Sequence, residues 1–202
     1  MKAVLIATKN RGKAKEFEQM FSKYGIEVKT LLDVDHAIDV AETGKTFEEN
    51  AILKAETIAN QYQLMTIADD SGLMIDALDG SPGIYSARYA GEEKKDEANI
   101  DKVLSELMNV SDDRRAATFY CALAVAEPGK ETYTVSGTLN GMITHKRIGE
   151  NGFGYDPIFK ISSGKTLAQL SSEEKNAISH RANAMKQLSK LLNQKWGEES
   201  IK

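Results

Sequence analysis

Apolar residues fill positions 3–7, and after a polar, basic stretch Phe17, Met20, Phe21 and Tyr24 recur at three- and four-residue spacing up to Gly25. That pattern predicts a strand, a loop and a helix closed by glycine. A second strand is predicted over 28–32, then a loop over 33–45 carrying Asp33, Asp35, Asp39 and Glu42. Thr46-Phe47-Glu48-Glu49 has the form of a capping box and predicts a helix to about Tyr62, with Phe47, Ala51, Ala55, Ile58, Ala59 and Tyr62 on its apolar stripe. Thr66-Ile67-Ala68 runs into Asp69-Asp70 and then Ser71-Gly72, which reads as a strand entering a tight turn, with a further strand over 73–78. Ile100, Val103, Leu104 and Leu107 mark another amphipathic helix. Apolar runs over 117–126 and 132–135 flank Glu127-Pro128-Gly129-Lys130, a hairpin signal. Residues 171–193 read as helical with a break near Ser179, which would cap a last helix whose apolar face is Leu188, Leu191 and Leu192. Strand–helix alternation followed by a hairpin predicts an α/β fold with a mixed sheet.

Composition narrows the function classes. A chain of 202 residues can bury a full core as one domain, and a net charge of −4 argues against a nucleic-acid-binding surface. No apolar run approaches membrane-spanning length, and the N-terminus leads into a short strand, so neither a membrane protein nor a secreted one is expected. The single cysteine, Cys121, suits a reducing cytoplasm, and its apolar neighbours Ala122 to Val125 place it in a core.

Several stretches carry chemistry. Thr8-Lys9-Asn10-Arg11-Gly12-Lys13 lies between a strand and a helix, the arrangement that aims backbone N–H groups and a helix N-terminus at an anion. It resembles a damaged phosphate loop, with Ala7 at the first glycine position and Ala14 where a metal-binding hydroxyl belongs. Any metal would therefore need ligands from elsewhere. Lys54 interrupts an apolar helix stripe, so it either snorkels to water or meets an anion. Asp69 and Asp70 must point to opposite faces of an extended strand, and Asp70 stands last before the turn. Gly152-Phe153-Gly154-Tyr155-Asp156-Pro157 suits a rigid loop beside a flat ligand such as a nucleobase. His180 and Arg181 would open a helix, where the dipole disfavours cations, so their placement needs a reason. Each stretch has a plainer reading as a turn, a solvated loop or a packed corner, and only the combination describes a metal-dependent nucleoside triphosphate site.

The chain closely resembles the inosine triphosphate pyrophosphatase family from Ala3 to about Leu192. The resemblance rests on the six ordered motifs at 8–13, 46–51, 69–73, 82–88, 152–157 and 179–181. It implies a two-lobed α/β fold around a long twisted mixed sheet flanked by helices, with the active site in the cleft between the lobes. One domain would span 1–196, followed by a polar tail over 197–202. It also implies attack of water on the α-phosphorus of deaminated purine nucleotides (dITP, ITP, XTP), Mg2+ as cofactor, and a homodimer with no nucleic-acid or membrane partner. Carried over residue by residue, Thr8, Lys9, Asn10, Arg11, Gly12 and Lys13 would hold the triphosphate, helped by Lys54 and Ser71. Glu42 and Asp70 would ligate the metal, and Asp70 would be the general base, a role Asp69 could share. Phe153, Gly154, Tyr155, Asp156, Lys175, His180 and Arg181 would bind the base. The alternatives are the same reaction on dTTP or UTP, and a nucleotide sensor without catalysis.

Overall fold

The computed structural model describes residues 3–22 and 27–199, with side chains as far as Leu191. Tyr24, Gly25 and the Leu192 side chain lie outside the described residues. Among them, six strands form one sheet: β1 (Ala3–Ile6), β2 (Glu27–Thr30), β3 (Thr66–Ile75), β4 (Ala116–Ala126), β5 (Tyr133–Ile143) and β6 (Phe159–Lys160), in the order β2-β1-β3-β4-β5-β6. β1 pairs in parallel with both β2 and β3, and β5 pairs antiparallel with β6, so the sheet is mixed. The helices are α1 (Arg11–Ser22), α2 (Phe47–Tyr62), α3 (Asp96–Glu106), α4 (Ser172–Ile178) and α5 (His180–Glu199). The fold is α/β. Helix α5 continues through Gly197 to Glu199, inside the stretch expected as a tail.

The chain divides into two compact units, Met1–Asp70 with Cys121–Gly137 and His180–Lys202, and Ser71–Tyr120 with Thr138–Ser179. Strands β3, β4 and β5 each contribute residues to both. Each unit has its own core. In the first, Val4, Ile6, Phe17, Phe21, Ile67 and Leu188 pack with the buried Cys121; in the second, Leu73, Ile100, Val103, Phe119, Phe159 and Leu167 pack together. The second unit also buries Arg115. Its guanidinium donates to the carbonyls of Leu107 (2.7 Å), Ile143 (2.9 Å), Thr144 (3.0 Å) and Val110 (3.2 Å), so α3 and the end of β5 are joined through a cation satisfied by backbone.

Three sequence expectations are corrected. No turn follows Asp70: β3 runs unbroken through Asp69, Asp70, Ser71 and Gly72, and only Asp76–Leu78 leaves it as a 3-10 turn. Strand pairing overrides the local turn preference of Ser-Gly. The strand expected over 28–32 stops at Thr30, because Asp33 accepts hydrogen bonds from the Thr30 N–H (2.8 Å) and hydroxyl (2.9 Å) and winds Leu31–Asp33 into a 3-10 turn. Those two bonds hold the Asp33 carboxyl below its usual range. The capping box of α2 is half made: the Thr46 hydroxyl accepts from Glu49 N–H (3.1 Å), while the Glu49 carboxylate reaches past Thr46 to Lys45 N–H (2.6 Å).

Candidate active site

Strand β1 ends at Ile6, and its parallel partner β3 continues far beyond the last paired residues, Ile6 and Ile67. Asp69 and Asp70 thus lie past the carboxyl end of β1, not of their own strand. Ligands gather beyond strand ends of this kind. Residues 7–10 make the whole connection from β1 to α1. The Asn10 side chain accepts from Lys13 N–H (3.0 Å) and caps the helix, and the Thr8 hydroxyl accepts from Asn10 N–H (3.2 Å). Lys9, Asn10 and Arg11 are exposed, with the Lys9 ammonium on Asp39 and the Ala37 carbonyl.

The two aspartates point apart, as strand alternation requires. Asp69 is buried, and its Oδ2 lies 3.0 Å from both the Lys13 ammonium and the Arg181 guanidinium. Arg181 is buried as well and also pairs with Glu16, which sits on the buried face of α1. Burial opposes the Arg181 charge, but Asp69 and Glu16 outweigh it and raise its pKa above the ordinary value. The cation expected to be unfavourable at the start of α5 is therefore compensated by two carboxylates.

Asp70 faces a different set. The Lys54 ammonium lies 3.1 Å from Asp70 Oδ1 and 3.0 Å from Glu42 Oε1, and donates to the Asp69 carbonyl at 2.7 Å. Asn50 Nδ2 donates to Asp70 Oδ2 at 3.2 Å. Burial pushes the Asp70 carboxyl up, against the pull of Lys54 and Lys13, and Glu42 pushes the same way. Burial works against the Lys54 charge, but Asp70, Asp69 and Glu42 together raise its pKa. Lys54 has met anions rather than snorkelled. Among the described residues no group of three or more His, Cys, Asp or Glu side chains is placed to hold a metal. The donor set around Lys54, two carboxylates and a carbonyl converging on one positive charge, is nonetheless hard oxygen chemistry, which fits magnesium completed by phosphate oxygens and water.

Gly12 lies in the first turn of α1 and His180 is buried at the start of α5, both in the first unit; the remaining predicted residues fall in the second. Ser71 is half-buried in β3. Asp156 Oδ2 accepts from Phe153 N–H (2.9 Å) and pairs with the buried Lys175 ammonium at 2.5 Å, which itself lies 4.4 Å from the Phe153 ring centroid. A side chain at Gly152 would put its Cβ 2.0 Å from the Asp156 carboxylate, so the glycine is required. Gly154 N–H is bound by Asp96, and the buried Tyr155 hydroxyl donates to the Ser86 carbonyl at 2.8 Å. Phe153, Gly154, Tyr155 and Asp156 each place a polar group on a partner, which ties the loop down.

Glu16 and Asn50 are the contributors that sequence reasoning missed. Their one signal is a polar residue among the buried positions of α1 and α2.

A mixed α/β sheet with carboxylates and lysines gathered past a strand end is the class of site suited to a metal and a polyanion. The chain belongs to the Ham1 family, whose pattern matches residues 4–191. It is similar to the dITP/XTP pyrophosphatase of Bacillus licheniformis, 56% identical over 195 residues that cover 96% of this chain and 100% of that protein. Against the dITP/XTP pyrophosphatase of Bacillus subtilis it is 56% identical over 193 residues, 95% of this chain and 98% of the other. The solved Ham1 protein of Staphylococcus aureus superimposes with a TM-score of 0.85 at 48% identity, over 96% of this chain and 100% of that one. No helix among the described residues is long and apolar enough to cross a membrane.

Proposed function

We propose that this chain is a magnesium-dependent pyrophosphatase that hydrolyses dITP, ITP and XTP to the nucleoside monophosphate and pyrophosphate, clearing deaminated purines from the cytoplasmic nucleotide pool. The observation that carries this reading is the convergence of Glu42 and Asp70 on one cation, beside a basic strand–helix loop. The identity to proteins named for that activity supports it.

Glu42 and Asp70 are the residues that would hold magnesium. When bound, the metal neutralises phosphate charge and makes water easier to deprotonate. Thr8 to Lys13 and Lys54 orient the triphosphate with backbone N–H groups and ammonium charge. Asp70 takes the proton of the attacking water; its carboxylate has two oxygens with two lone pairs each, so a metal contact and a proton can be shared between them. Water oxygen joins the α-phosphorus, and the bond to the bridging oxygen breaks to release pyrophosphate. Asp69 is committed to Lys13 and Arg181, and its role is to organise them. Phe153, Gly154, Tyr155, Asp156 and Lys175 are assigned to the base. His180 and Arg181 are the donors for a 6-oxo group, which adenine lacks; an unmatched buried donor costs about 1–3 kcal/mol. A homodimer belongs to the same proposal.

Hydrolysis of dITP in 18O-labelled water tests the reaction itself. Label in the monophosphate is expected; label in pyrophosphate would place attack on the β-phosphorus and overturn the proposed chemistry.

A further inference from the structure

Glu42 and Asp70 come from stretches with unequal support. Asp70 sits in the middle of a ten-residue strand, whereas Glu42 belongs to a segment, 37–44, without regular structure. A pair of carboxylates meant to share one cation needs its spacing held, and a side chain on α2 spans the two. Asn50 is 1% exposed. Its Nδ2 donates to Asp70 Oδ2 at 3.2 Å, and its Oδ1 accepts from the backbone N–H of Gly44, two residues past Glu42, at 2.8 Å. The amide orientation follows from its partners, because a backbone N–H can only donate and an ionised carboxylate can only accept.

Gly44 is part of the same device. A Cβ there would stand 2.7 Å from Glu49 Cβ and 2.8 Å from Asn50 Oδ1, so no other residue lets the backbone come this close without movement. Burial of an apolar stripe does not explain asparagine at this position. It is a poor helix former, and a leucine would extend the face made by Phe47, Ala51 and Ala55. Lys54, one turn further on, touches Glu42 and Asp70 too. Lysine is free to turn to a phosphate; the neutral amide has no reason to.

We propose that Asn50 is a positioning residue that sets the spacing between Glu42 and Asp70, holding the Asp70 carboxylate with its amide nitrogen and the Glu42 segment, through Gly44, with its amide oxygen. The inference rests on the reading of Glu42 and Asp70 as the metal-holding pair.

Two variants separate the halves of the link. Asn50→Asp keeps size and the acceptor for Gly44 N–H but sets a second carboxylate against Asp70. Asn50→Leu removes both bonds. Hydrogen exchange of the Gly44 amide, read by NMR without nucleotide, reports the loop directly, and steady-state rates with dITP over a magnesium titration report the site. Wild type is expected to protect the Gly44 amide. In Asn50→Asp that protection stays and kcat falls about 10-fold or more, with KM for dITP within about twofold. In Asn50→Leu the amide exchanges at least about 10-fold faster, and the magnesium needed for half-maximal rate rises by about the same factor. Wild-type kcat and magnesium dependence in either folded variant would overturn the inference, and so would a wild-type Gly44 amide that exchanges at the open-chain rate. A wild-type chain that releases no pyrophosphate from dITP overturns the functional reading and this inference with it. An active wild type beside unchanged variants overturns the inference alone.

Discussion

Asp69 and Asp70 are neighbours in sequence and have opposite surroundings. The Asp69 side chain lies between Lys13 and Arg181, two cations at 3.0 Å, and Arg181 is a fully buried charge that needs it. The Asp70 side chain shares Lys54 with Glu42 and is pushed up by burial. The roles should separate on mutation. Asp69→Asn leaves a buried guanidinium with one carboxylate fewer and is expected to lose about 3 kcal/mol in urea unfolding, by the logic of a broken buried pair. Asp70→Asn keeps the shape and relieves a buried carboxylate. It is expected to melt within a few degrees of wild type while kcat for dITP falls at least about 100-fold. The reverse pattern, an unstable Asp70→Asn beside a stable and inactive Asp69→Asn, would contradict the assignment. Alternation along a strand made the divergence legible from sequence. What each carboxylate meets was not, since Arg181 is 112 residues away from Asp69 along the chain.

At the scale of elements, local patterns located the helices well and misjudged where strands end. Helix α2 begins at Phe47 and ends at Tyr62 as its caps and stripe imply, and the break at Ser179 separates α4 from α5. Strand β3 is different. Asp-Asp-Ser-Gly is a turn by local preference, but in β3 the same residues stay extended past the end of β1, with β4 as the next strand in the sheet. Gly137 carried no signal either, yet it decides how β5 meets α5. A Cβ there would fall 2.2 Å from the Ala184 nitrogen and 2.5 Å from the His180 carbonyl oxygen. Backbone cannot swing aside as a side chain can. Gly137→Ala is expected to cost roughly 1–3 kcal/mol or more through overpacking. Because the contact lies on the first turns of α5, it is also expected to lower activity on dITP. A variant with unchanged melting temperature and unchanged rate would show that α5 is not held in this place by Gly137.

Across the whole molecule, the chain builds two compact units by leaving the first at Ser71, returning at Cys121 and again at His180. No composition shift or linker marks these crossings, because they fall inside strands β3, β4 and β5 and at the α4–α5 junction. Periodicity reports which face of a strand is buried, not which core it enters. The candidate site reads in the sequence as a set of residue types in order, and the ordered motifs carry more than any one of them. The supports of the site, Asn50 behind Asp70 and Glu16 behind Arg181, do not read this way, because their signal is only a polar residue on a buried face.

The proposed magnesium-dependent hydrolysis of deaminated purine triphosphates is measured by pyrophosphate release from dITP, XTP, ATP, GTP and dTTP, each with magnesium and with a chelator. Release from dITP and XTP far above the other three, abolished by the chelator, is the expected result. Equal or faster release from dTTP, release that survives chelation, or binding of dITP without release would contradict it.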